Sequence, residues 1–427
     1  MDRQEKILLA FYGDDLTGST DALEFICRAG AKAVLFLKLP TAGQLKAFPG
    51  LQAYGVAGRA RSLSPAMMEA ELVPAFNLMR ESGARHVHYK ICSTFDSSPQ
   101  TGSIGKAIDC GATVFQNKLV PILGGMPALG RYCLFGNLFA QMGIGSEGEI
   151  YRLDRHPSMS KHPVTPANES DLRMHLGSQT KKKIGLINVL EIEGNINSWH
   201  HALQGDEEAI LLDVLNNEQL TKIGEWLESL RKEDETLFSV GGSGIEMALG
   251  SYWNQTGILK AQSSWPQPEK TTPLLVVSGS CSPVTTMQIE YAKANGFEEI
   301  IIDVKNGSVE KEIIIKTLQQ GKNLIVHTGE RESEAVPSEI TGKVLGSLAR
   351  EAIINAGLKR VIVAGGDTSS HAAREMEVDA LEMIAPMVSG APLCKVHSAN
   401  KSIHGIEINL KGGQVGGKDY FLLFTNS

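Results

Sequence analysis

Residues 6–19, KILLAFYGDDLTGS, pass from an apolar run into a polar, glycine-containing turn and then into a segment of helical period. The spacing predicts a strand over 6–12 and a helix over 19–29, joined by the turn GDDLTGS. In open parallel sheets, ligands bind beyond the carboxyl ends of strands, so this turn lies where a ligand site is expected. A strand, a turn and a helix in this order are the repeating unit of an α/β fold.

The same alternation continues along the chain. Further strands are predicted at 33–37, 51–56, 86–89, 184–189, 274–277, 299–304, 323–327 and 360–364. Further helices are predicted at 67–82, 284–295, 313–320 and 338–356. Because these strands alternate with helices, the sequence predicts an α/β class with largely parallel sheets flanked by helices.

A chain of 427 residues is too long for one ordinary core, so two domains are expected. Residues 251–272 are polar, contain two prolines and lack a clean period, which is typical of a linker. We therefore predict an N-terminal domain over 1–250 and a C-terminal domain over 273–427, with the active site in the interdomain cleft.

Composition excludes several classes of protein. The net charge is −7 and no basic run occurs, which argues against a nucleic-acid partner. No run of 18 apolar residues indicates a membrane span, and the charged N-terminus lacks the apolar core of a signal peptide. The six cysteines form no C-x-x-C pair, which is typical of reduced thiols. We expect a cytoplasmic enzyme.

The turn GDDLTGS carries Asp14, Asp15 and Thr17 directly after the first strand. Two adjacent carboxylates at a helix N-terminus can hold sugar hydroxyls, accept a proton or approach a metal. The alternative is that Asp15 or Thr17 only caps the helix. Capping accounts for one polar residue, but not for two acids, a threonine and two glycines together, so we predict a functional site.

A second polar segment, KICSTFD at 90–96, follows the strand at 86–89. A lysine that ends a buried strand is costly unless it faces a cleft or an anion. Lys90 suits a substrate carboxylate, and the segment adds hydroxyl and carboxylate groups for a polyhydroxy acid. The alternative is a polar turn with a snorkelling lysine. The other candidates for substrate binding, and in the case of Asp96 also for catalysis, are Ser93, Thr94, Asp96, Arg61 and Arg131.

Three glycine-rich loops follow apolar strands and precede helical segments: VGGSG at 240–244, SGSCS at 278–282 and AGGDTSS at 364–370. A fourth glycine-rich segment, GGQVGG at 412–417, lies near the end of the chain. A strand, a glycine and hydroxyl loop and a helix can cradle phosphate on backbone N–H groups. Each loop alone could be a tight turn, but the set indicates a nucleotide or phosphate. The P-loop and dinucleotide-binding patterns are missing from the sequence, as are H-E-x-x-H and G-x-S-x-G.

The segments GDDLTGS, KICSTFD, SGSCS and GGDTS, in this order and spacing, resemble the four-carbon acid sugar kinases. The resemblance covers nearly the whole chain and implies a sugar-acid-binding domain followed by a nucleotide-binding domain. It implies ATP-dependent phosphorylation of 3-oxo-tetronates, threonate or erythronate. Gly13, Ser19 and residues 23–25 depart from the motifs of those members, so a branched acid such as 3-oxo-isoapionate is also an option. The positions expected to bind ATP are Ser278, Ser280, Gly365, Gly366, Asp367, Thr368, Gly413 and Gly416.

The mechanism expected from these motifs is in-line attack of a substrate hydroxyl on the γ-phosphoryl group of ATP–Mg²⁺. Asp15, or its neighbour Asp14, would orient or deprotonate the hydroxyl, with Asp96 as the second choice of base. Lys90 and Arg61 would hold the substrate carboxylate. The competing hypotheses are a non-catalytic regulator that binds nucleotide or sugar acid, and a metal-dependent sugar-acid isomerase or lyase. No metal held by the protein's own side chains is predicted, and a homodimer is one option for the assembly.

Overall fold

The structure is a computed structural model that describes residues 7–142, 148–162, 164–202, 205–304, 311–329 and 336–425, without the side chains of 200–202 and 367. The chain forms two compact units. The first comprises Met1–Val34, Leu39–Met142 and Glu147–Ser263, and the second comprises Leu35–Lys38, Gly143–Ser146 and Ser264–Ser427.

Short strands alternate with helices in the first 263 residues, as the sequence predicted. The strands are β1 (Leu9–Gly13), β2 (Ala33–Phe36), β3 (Ala53–Ala57), β4 (His86–Lys90), β5 (Val120–Leu123), β6 (Arg131–Leu134), β7 (Asn137–Gln141), β8 (Ile150–Arg152), β9 (Ile184–Ile187), β10 (Ala209–Leu212) and β11 (Leu237–Gly241). The helices are α1 (Leu16–Arg28), α2 (Ala42–Lys46), α3 (Pro65–Glu81), α4 (Ile104–Phe115), α5 (Leu172–Gly177), α6 (Val189–Glu193), α7 (Asn217–Leu230) and α8 (Gly244–Gln255).

The main sheet of the first unit is parallel and runs in the order β3-β1-β4-β11-β5-β10-β9. All five residues of β1 are buried, as expected for a parallel strand covered on both faces. In the registers of β3, β4 and β11, Gly13 lies opposite Ala57 and Lys90, and Lys90 lies opposite Gly241. The loops after these four strands therefore leave the sheet at one edge, and this edge carries the candidate site.

Two features of this part of the chain were not predicted. Strands β6, β7 and β8 form a small antiparallel sheet, although the sequence had indicated only largely parallel sheets. Leu35 and Phe36 of β2 group with the second unit, where they pair antiparallel with Leu381 and Ala380. Both are long-range pairings, which a local apolar pattern does not encode.

Helix boundaries differ most at the two ends of the first unit. Helix α1 begins at Leu16 rather than at residue 19, because the Asp15 side chain accepts a hydrogen bond from the Gly18 N–H and caps the helix ahead of that glycine. Helix α8 continues to Gln255, so the first residues of the predicted linker are helical.

The second unit repeats the α/β pattern. Its strands are β12 (Leu275–Ser278), β13 (Glu298–Ile301), β14 (Leu324–His327), β15 (Arg360–Ala364), β16 (Ala380–Val388), β17 (Ala391–His397) and β18 (Glu407–Lys411). Its helices are α9 (Pro283–Ala294), α10 (Lys311–Gln319), α11 (Ser338–Ala356) and α12 (Gly366–Glu375). Taken over the described ranges of both units, none of the helices is long and apolar enough to cross a bilayer.

The sheet of the second unit runs in the order β13-β14-β12-β15-β18-β17-β16. Its first five strands are parallel, and β17 pairs antiparallel with both β18 and β16. The loops after β12, β15 and β18 therefore leave the sheet at one edge. These are three of the four glycine-rich loops, whereas the fourth, at 240–244, follows β11 in the first unit.

Candidate active site

Asp15 is both a helix cap and one half of an ion pair. Its Oδ1 accepts the Gly18 N–H at 2.7 Å, and its Oδ2 accepts the Thr17 hydroxyl at 2.8 Å. The Arg61 guanidinium lies 2.9 Å from the same Oδ2. Burial by itself would raise the pKa of Asp15, but the positive charges of Arg61 and Lys90 outweigh it and lower that pKa. Asp15 is thus held as an ionised carboxylate with both oxygens engaged.

The pKa of Asp14 is raised, whereas that of Asp15 is lowered. Its Oδ2 accepts the Cys92 N–H at 3.2 Å, whereas its buried Oδ1 has no hydrogen-bond partner within the described part of the chain. Burial, reinforced by the neighbouring charge of Asp15, raises the pKa of Asp14 to about 7. A carboxyl group with a pKa near neutrality and an unsatisfied oxygen has the properties of a general base.

Lys90 ends β4 inside a buried polar cluster. Its ammonium group donates to the Ile91 carbonyl oxygen at 2.9 Å and lies 3.5 Å from Asp21 Oδ2. Burial alone would lower the pKa of Lys90, but Asp21, Asp14 and Asp15 outweigh it and raise that pKa. Asp21 Oδ2 also accepts the Ser243 hydroxyl at 2.5 Å. The positive charge of Lys90 therefore offsets the negative charges of the carboxylates around it.

A second buried pair lies at the same end of the sheet. His88 Nδ1 lies 2.6 Å from Glu246 Oε1, and His88 Nε2 lies 3.0 Å from the Gly241 carbonyl oxygen. Both ring nitrogens of His88 therefore have an oxygen atom within hydrogen-bonding distance. Neither side chain is exposed. Glu246 also contributes to the raised pKa of Lys90.

The loop after Lys90 folds over Asp14. Thr94 donates its hydroxyl to Asp96 Oδ1 at 2.7 Å, and the Arg131 Nε group donates to the Ser93 hydroxyl at 3.2 Å. Phe95 has a φ of 55°, in the left-handed region that a bulky residue rarely adopts. Such a conformation persists only when its surroundings enforce it, and it is frequent at functional sites. The loop thus presents hydroxyl and carboxylate groups in a fixed arrangement.

Arg131, at the start of β6, is almost fully buried. Its Nη1 donates to the carbonyl oxygens of Leu129 and Gln141, each at 3.0 Å. Together with the bond to Ser93, these contacts attach the small antiparallel sheet to the loop after β4. Arg131 therefore belongs to the site through Ser93, and its own guanidinium is largely occupied by backbone acceptors.

In the second unit, glycine loops surround a small cavity of about 240 Å³. Gly365 has a φ of +119°, which favours glycine, and a Cβ there would lie 3.4 Å from the Ser280 nitrogen. A Cβ on Gly279 would lie 2.6 Å from the Thr368 Oγ1. Helix α12 begins at Gly366, so its N-terminal N–H groups face the same loops. Backbone amides on a glycine framework fit a phosphate chain.

The loop after β18 completes this framework. A Cβ on Gly413 would lie 2.9 Å from the Ser280 Oγ, so glycine permits the close approach of the two loops. The Thr285 hydroxyl donates to the Gly413 carbonyl oxygen at 3.0 Å, and the buried Lys411 ammonium donates to the Thr285 Oγ1 at 3.1 Å. Burial lowers the pKa of Lys411 to about 7. Gly416 has a φ of +86° and lies against the Tyr420 ring.

The structure thus groups the predicted residues into two sets. One set surrounds the carboxyl end of β1: Asp14, Asp15, Thr17, Arg61, Lys90, Ser93, Thr94, Asp96 and Arg131. The other surrounds the ends of β12, β15 and β18: Ser278, Ser280, Gly365, Gly366, Thr368, Gly413 and Gly416. The side chain of Asp367 lies outside the described residues. The loop at 240–244, grouped with the phosphate-type loops by sequence, instead supplies Ser243 to Asp21.

Sequence reasoning missed several residues that lie beside these two sets. Asp21 lies on α1 among buried residues, and an acid on the apolar face of a helix was the available signal. His88 lies in β4 and Glu246 in α8, 158 residues apart along the chain. Lys411 ends a buried strand in the same way as Lys90, and that parallel could have identified it.

Comparisons with known proteins match each half of the chain to a described domain. A family model described as a sugar-binding N-terminal domain matches residues 9–249, and one described as a nucleotide-binding C-terminal domain matches residues 275–421. The chain is 40% identical to a 3-oxo-isoapionate kinase of Paraburkholderia graminis, over 97% of this chain and 93% of that protein. It is 26% identical to a 3-oxo-tetronate kinase of Pseudomonas fluorescens, over 97% and 95% of the two chains.

Solved structures share the whole fold. A protein of Salmonella typhimurium LT2 superposes with a TM-score of 0.76 at 22% identity, covering 97% of this chain and 98% of that one. A protein of Haemophilus influenzae superposes with a TM-score of 0.72 at 20% identity, with the same coverage. From the two matched domains and the 40% identity along nearly its whole length, the chain belongs to the four-carbon acid sugar kinase family.

Proposed function

We propose that the protein transfers the γ-phosphoryl group of ATP to a hydroxyl of a small sugar acid. The observation that carries the proposal is Asp14, a buried carboxyl group at the end of β1 with an unsatisfied oxygen and a pKa of about 7. Such a group needs a hydrogen-bond donor, and the hydroxyl of a sugar acid supplies one. Membership of a family of sugar-acid kinases supports the same reaction.

In this mechanism Asp14, rather than Asp15, is the base. The acceptor hydroxyl would approach the Asp14 carboxyl group, which keeps an exposed fraction of 3%, and its proton would pass to that carboxylate as the hydroxyl oxygen bonds to the γ-phosphorus. The bond between that phosphorus and the β–γ bridging oxygen breaks, and ADP leaves. Asp15 is the less suitable base, because Arg61, Thr17 and the Gly18 N–H already engage its oxygens and keep its pKa low.

The remaining residues of the first set would orient the acceptor. Arg61 is partly exposed beside Asp15 and can contact the acceptor carboxylate through further N–H groups. Lys90 is a weaker candidate for that contact than the sequence suggested, since its ammonium is buried against Asp21 and the Ile91 carbonyl. Its part in the reaction is to hold Asp15 ionised and to limit the pKa of Asp14. The hydroxyl-binding groups are Ser93, Thr94 and Asp96.

ATP–Mg²⁺ is the second substrate in this proposal. The fit rests on the backbone N–H groups of the loops at 278–282, 365–368 and 412–417, where glycines leave space that a Cβ would fill. Mg²⁺ would arrive bound to the phosphates and neutralise charge on them during transfer. The backbone amides would bind the phosphates without any change of their protonation state. This half of the site therefore supplies position and charge stabilisation rather than proton transfer.

We propose 3-oxo-isoapionate, a branched acid, as the acceptor to test first. The support is that the chain is 40% identical to a 3-oxo-isoapionate kinase but 26% identical to 3-oxo-tetronate kinases. Release of ADP should be measured with 3-oxo-isoapionate, the 3-oxo-tetronates, threonate and erythronate in parallel. The highest kcat/KM is expected with 3-oxo-isoapionate, and a higher value with a linear four-carbon acid would contradict the choice of acceptor. A cytoplasmic location and a homodimer stay predictions, which cell fractionation and sedimentation would check.

A further inference from the structure

A cluster of three polar side chains lies beside the loop after β4 and consists of Ser97, His175 and Gln179. Ser97 is buried, with an exposed fraction of 5%. Its Oγ lies 2.8 Å from His175 Nε2 and accepts a hydrogen bond from Gln179 Nε2 at 3.0 Å. The two nitrogen atoms lie 3.1 Å apart. The three side chains therefore form one connected network, and the proposed reaction gives none of them a role.

The network contacts the loop at the residue with the left-handed backbone. The Ser97 hydroxyl donates to the Phe95 carbonyl oxygen at 3.0 Å, and Phe95 is the residue with a φ of 55°. A bulky residue keeps this conformation only where its surroundings enforce it. The carbonyl group of Phe95 belongs to the peptide unit that joins it to Asp96. Ser97 thus fixes the orientation of that peptide unit, and with it the point from which the Asp96 side chain leaves the backbone.

Two helices of the first unit hold the network in place. His175 lies on α5, and Gln179 follows that helix. The Gln179 Oε1 accepts the Gly105 N–H at 3.3 Å, which is one of the N–H groups that the first turn of α4 leaves without a partner inside the helix. A Cβ on Gly105 would lie 2.5 Å from the Gln179 carbonyl carbon, so glycine permits this close approach. Gln179 therefore links Ser97 to α4.

His175 acts in this network as a neutral ring. Burial lowers the pKa of His175 and outweighs the opposite effects of the Phe95 carbonyl oxygen and of the Asp96 charge. The imidazole is therefore uncharged near neutral pH and is not a counter-ion for Asp96. Its contribution is the contact with the Ser97 hydroxyl, which depends on position and not on charge.

We propose that His175 and Gln179 are positioning residues, which hold Ser97 so that the loop presents Thr94 and Asp96 to the acceptor. The Thr94 hydroxyl donates to Asp96 Oδ1 at 2.7 Å, so the two groups take their positions together. The inference rests on the proposed kinase function and deepens it, because it assigns part of the recognition of the acceptor to residues that act through Ser97.

The hydroxyl at the centre of the network is tested by Ser97→Ala. The matched control is Ser82→Ala after α3, since the Ser82 Oγ also joins two partners, the Tyr54 hydroxyl at 3.0 Å and the Met79 carbonyl oxygen at 2.7 Å. Ser97→Ala should raise the KM for the sugar acid about tenfold, because small displacements of orienting groups are costly, and leave the KM for ATP within about twofold. Ser82→Ala should change neither KM. An unchanged acceptor KM in Ser97→Ala, or an equal rise of both KM values, would overturn the inference.

The route through Ser97 is tested by combining variants. His175→Ala and Gln179→Ala should each raise the acceptor KM, but in a Ser97→Ala background each should add less than about twofold, because residues that act through one contact are not additive. His175→Gln should restore most of the acceptor affinity, since its amide group can reach the position of the imidazole Nε2. Full additivity in the double variants, or a His175→Gln protein as impaired as His175→Ala, would contradict a role through Ser97.

The outcomes separate this inference from the proposed function. If the wild-type protein phosphorylates a sugar acid and Ser97→Ala does so with the same acceptor KM, the kinase function stands and the positioning role is wrong. If the wild-type protein releases no ADP with any acceptor, the proposed function fails and this inference fails with it.

Discussion

The carboxyl ends of the two sheets carry sites built from different material. At the end of β1, the groups that we propose bind the acceptor are buried ionisable side chains, with Asp14, Asp15 and Lys90 within one cluster. At the ends of β12, β15 and β18, the groups that we propose bind ATP are backbone amides and hydroxyls around glycines such as Gly365 and Gly413. In this proposal the first site accepts a proton from the acceptor, whereas the second binds the phosphates without taking part in proton transfer. Substitutions in the first site should therefore lower kcat, and substitutions in the second should raise the KM for ATP.

The largest effect is expected from Asp14→Asn, which removes the base and nearly preserves its shape. General bases contribute typically 10²–10⁴-fold to rate, so kcat should fall by about that factor. The affinity for ATP, measured by calorimetry, should stay within twofold of the wild type. Asp15→Asn is the informative comparison, since its loss of turnover should also be large but accompanied by looser packing of Arg61. A near-normal kcat in Asp14→Asn would contradict the role of Asp14 as the base.

Gly365→Ala should impair the binding of ATP and leave the binding of the acceptor unchanged. A methyl group at a φ of +119° and 3.4 Å from the Ser280 nitrogen strains the loop and crowds the phosphates. We expect a KM for ATP raised by about tenfold or more and an acceptor KM that is unchanged. Gly357→Ala is the control, because Gly357 ends α11 with a φ of +66° and open space around its Cβ position. It should lose stability to a similar degree, about 1 kcal/mol, without any change in ATP affinity.

Arg61→Gln tests how the site at the end of β1 binds the carboxylate of the acceptor. It removes the positive charge that pairs with Asp15 and that we propose contacts the acceptor carboxylate. Acceptor KM should rise by about tenfold, since hydrogen bonds to charged groups contribute about 1.5–3 kcal/mol. The KM for ATP should stay constant in the same steady-state assay. An unchanged acceptor KM would assign the carboxylate to other groups.

Stability should respond to pH in opposite directions in the two units. The pKa of Asp14 is raised to about 7, so the folded state holds a proton that the unfolded state has lost, and stability falls between about pH 4 and 7. Lys411, with a pKa lowered to about 7, loses its proton first in the folded state, and stability rises between about pH 7 and 10. The full shifts correspond to about 4 kcal/mol for Asp14 and about 5 kcal/mol for Lys411.

Urea unfolding of variants across this range would check both signs. Asp14→Asn should gain stability relative to the wild type as pH rises from 4 to 7, and that gain should then level off. The free energy of unfolding of Lys411→Met, taken relative to that of the wild type, should fall between pH 7 and 10. The same slope for both variants would contradict the signs derived from the two pKa shifts.

Much of this division was predictable from local patterns. Polar residues directly after apolar strands identified Asp14, Lys90 and Gly365, because parallel strands bring such loops to one edge of a sheet. The proposal of Asp14 over Asp15 as the base was not predictable from the sequence, since it depends on which oxygen of two adjacent acids is already engaged. The contact between Asp21 and Ser243 joins residues 222 positions apart, and a local pattern cannot encode it. The antiparallel hairpin of β16 and β17 was missed in the same way.

The pH dependence of kcat/KM for the sugar acid tests the central claim, that Asp14 accepts the proton of the acceptor hydroxyl. Because this carboxyl must be ionised to act, kcat/KM should rise with a slope of one on a logarithmic scale below about pH 7 and level off above it. The same profile in Asp14→Asn should be low and lack that step. A wild-type profile that is flat from pH 5 to 8, or an unchanged step in Asp14→Asn, would contradict the account.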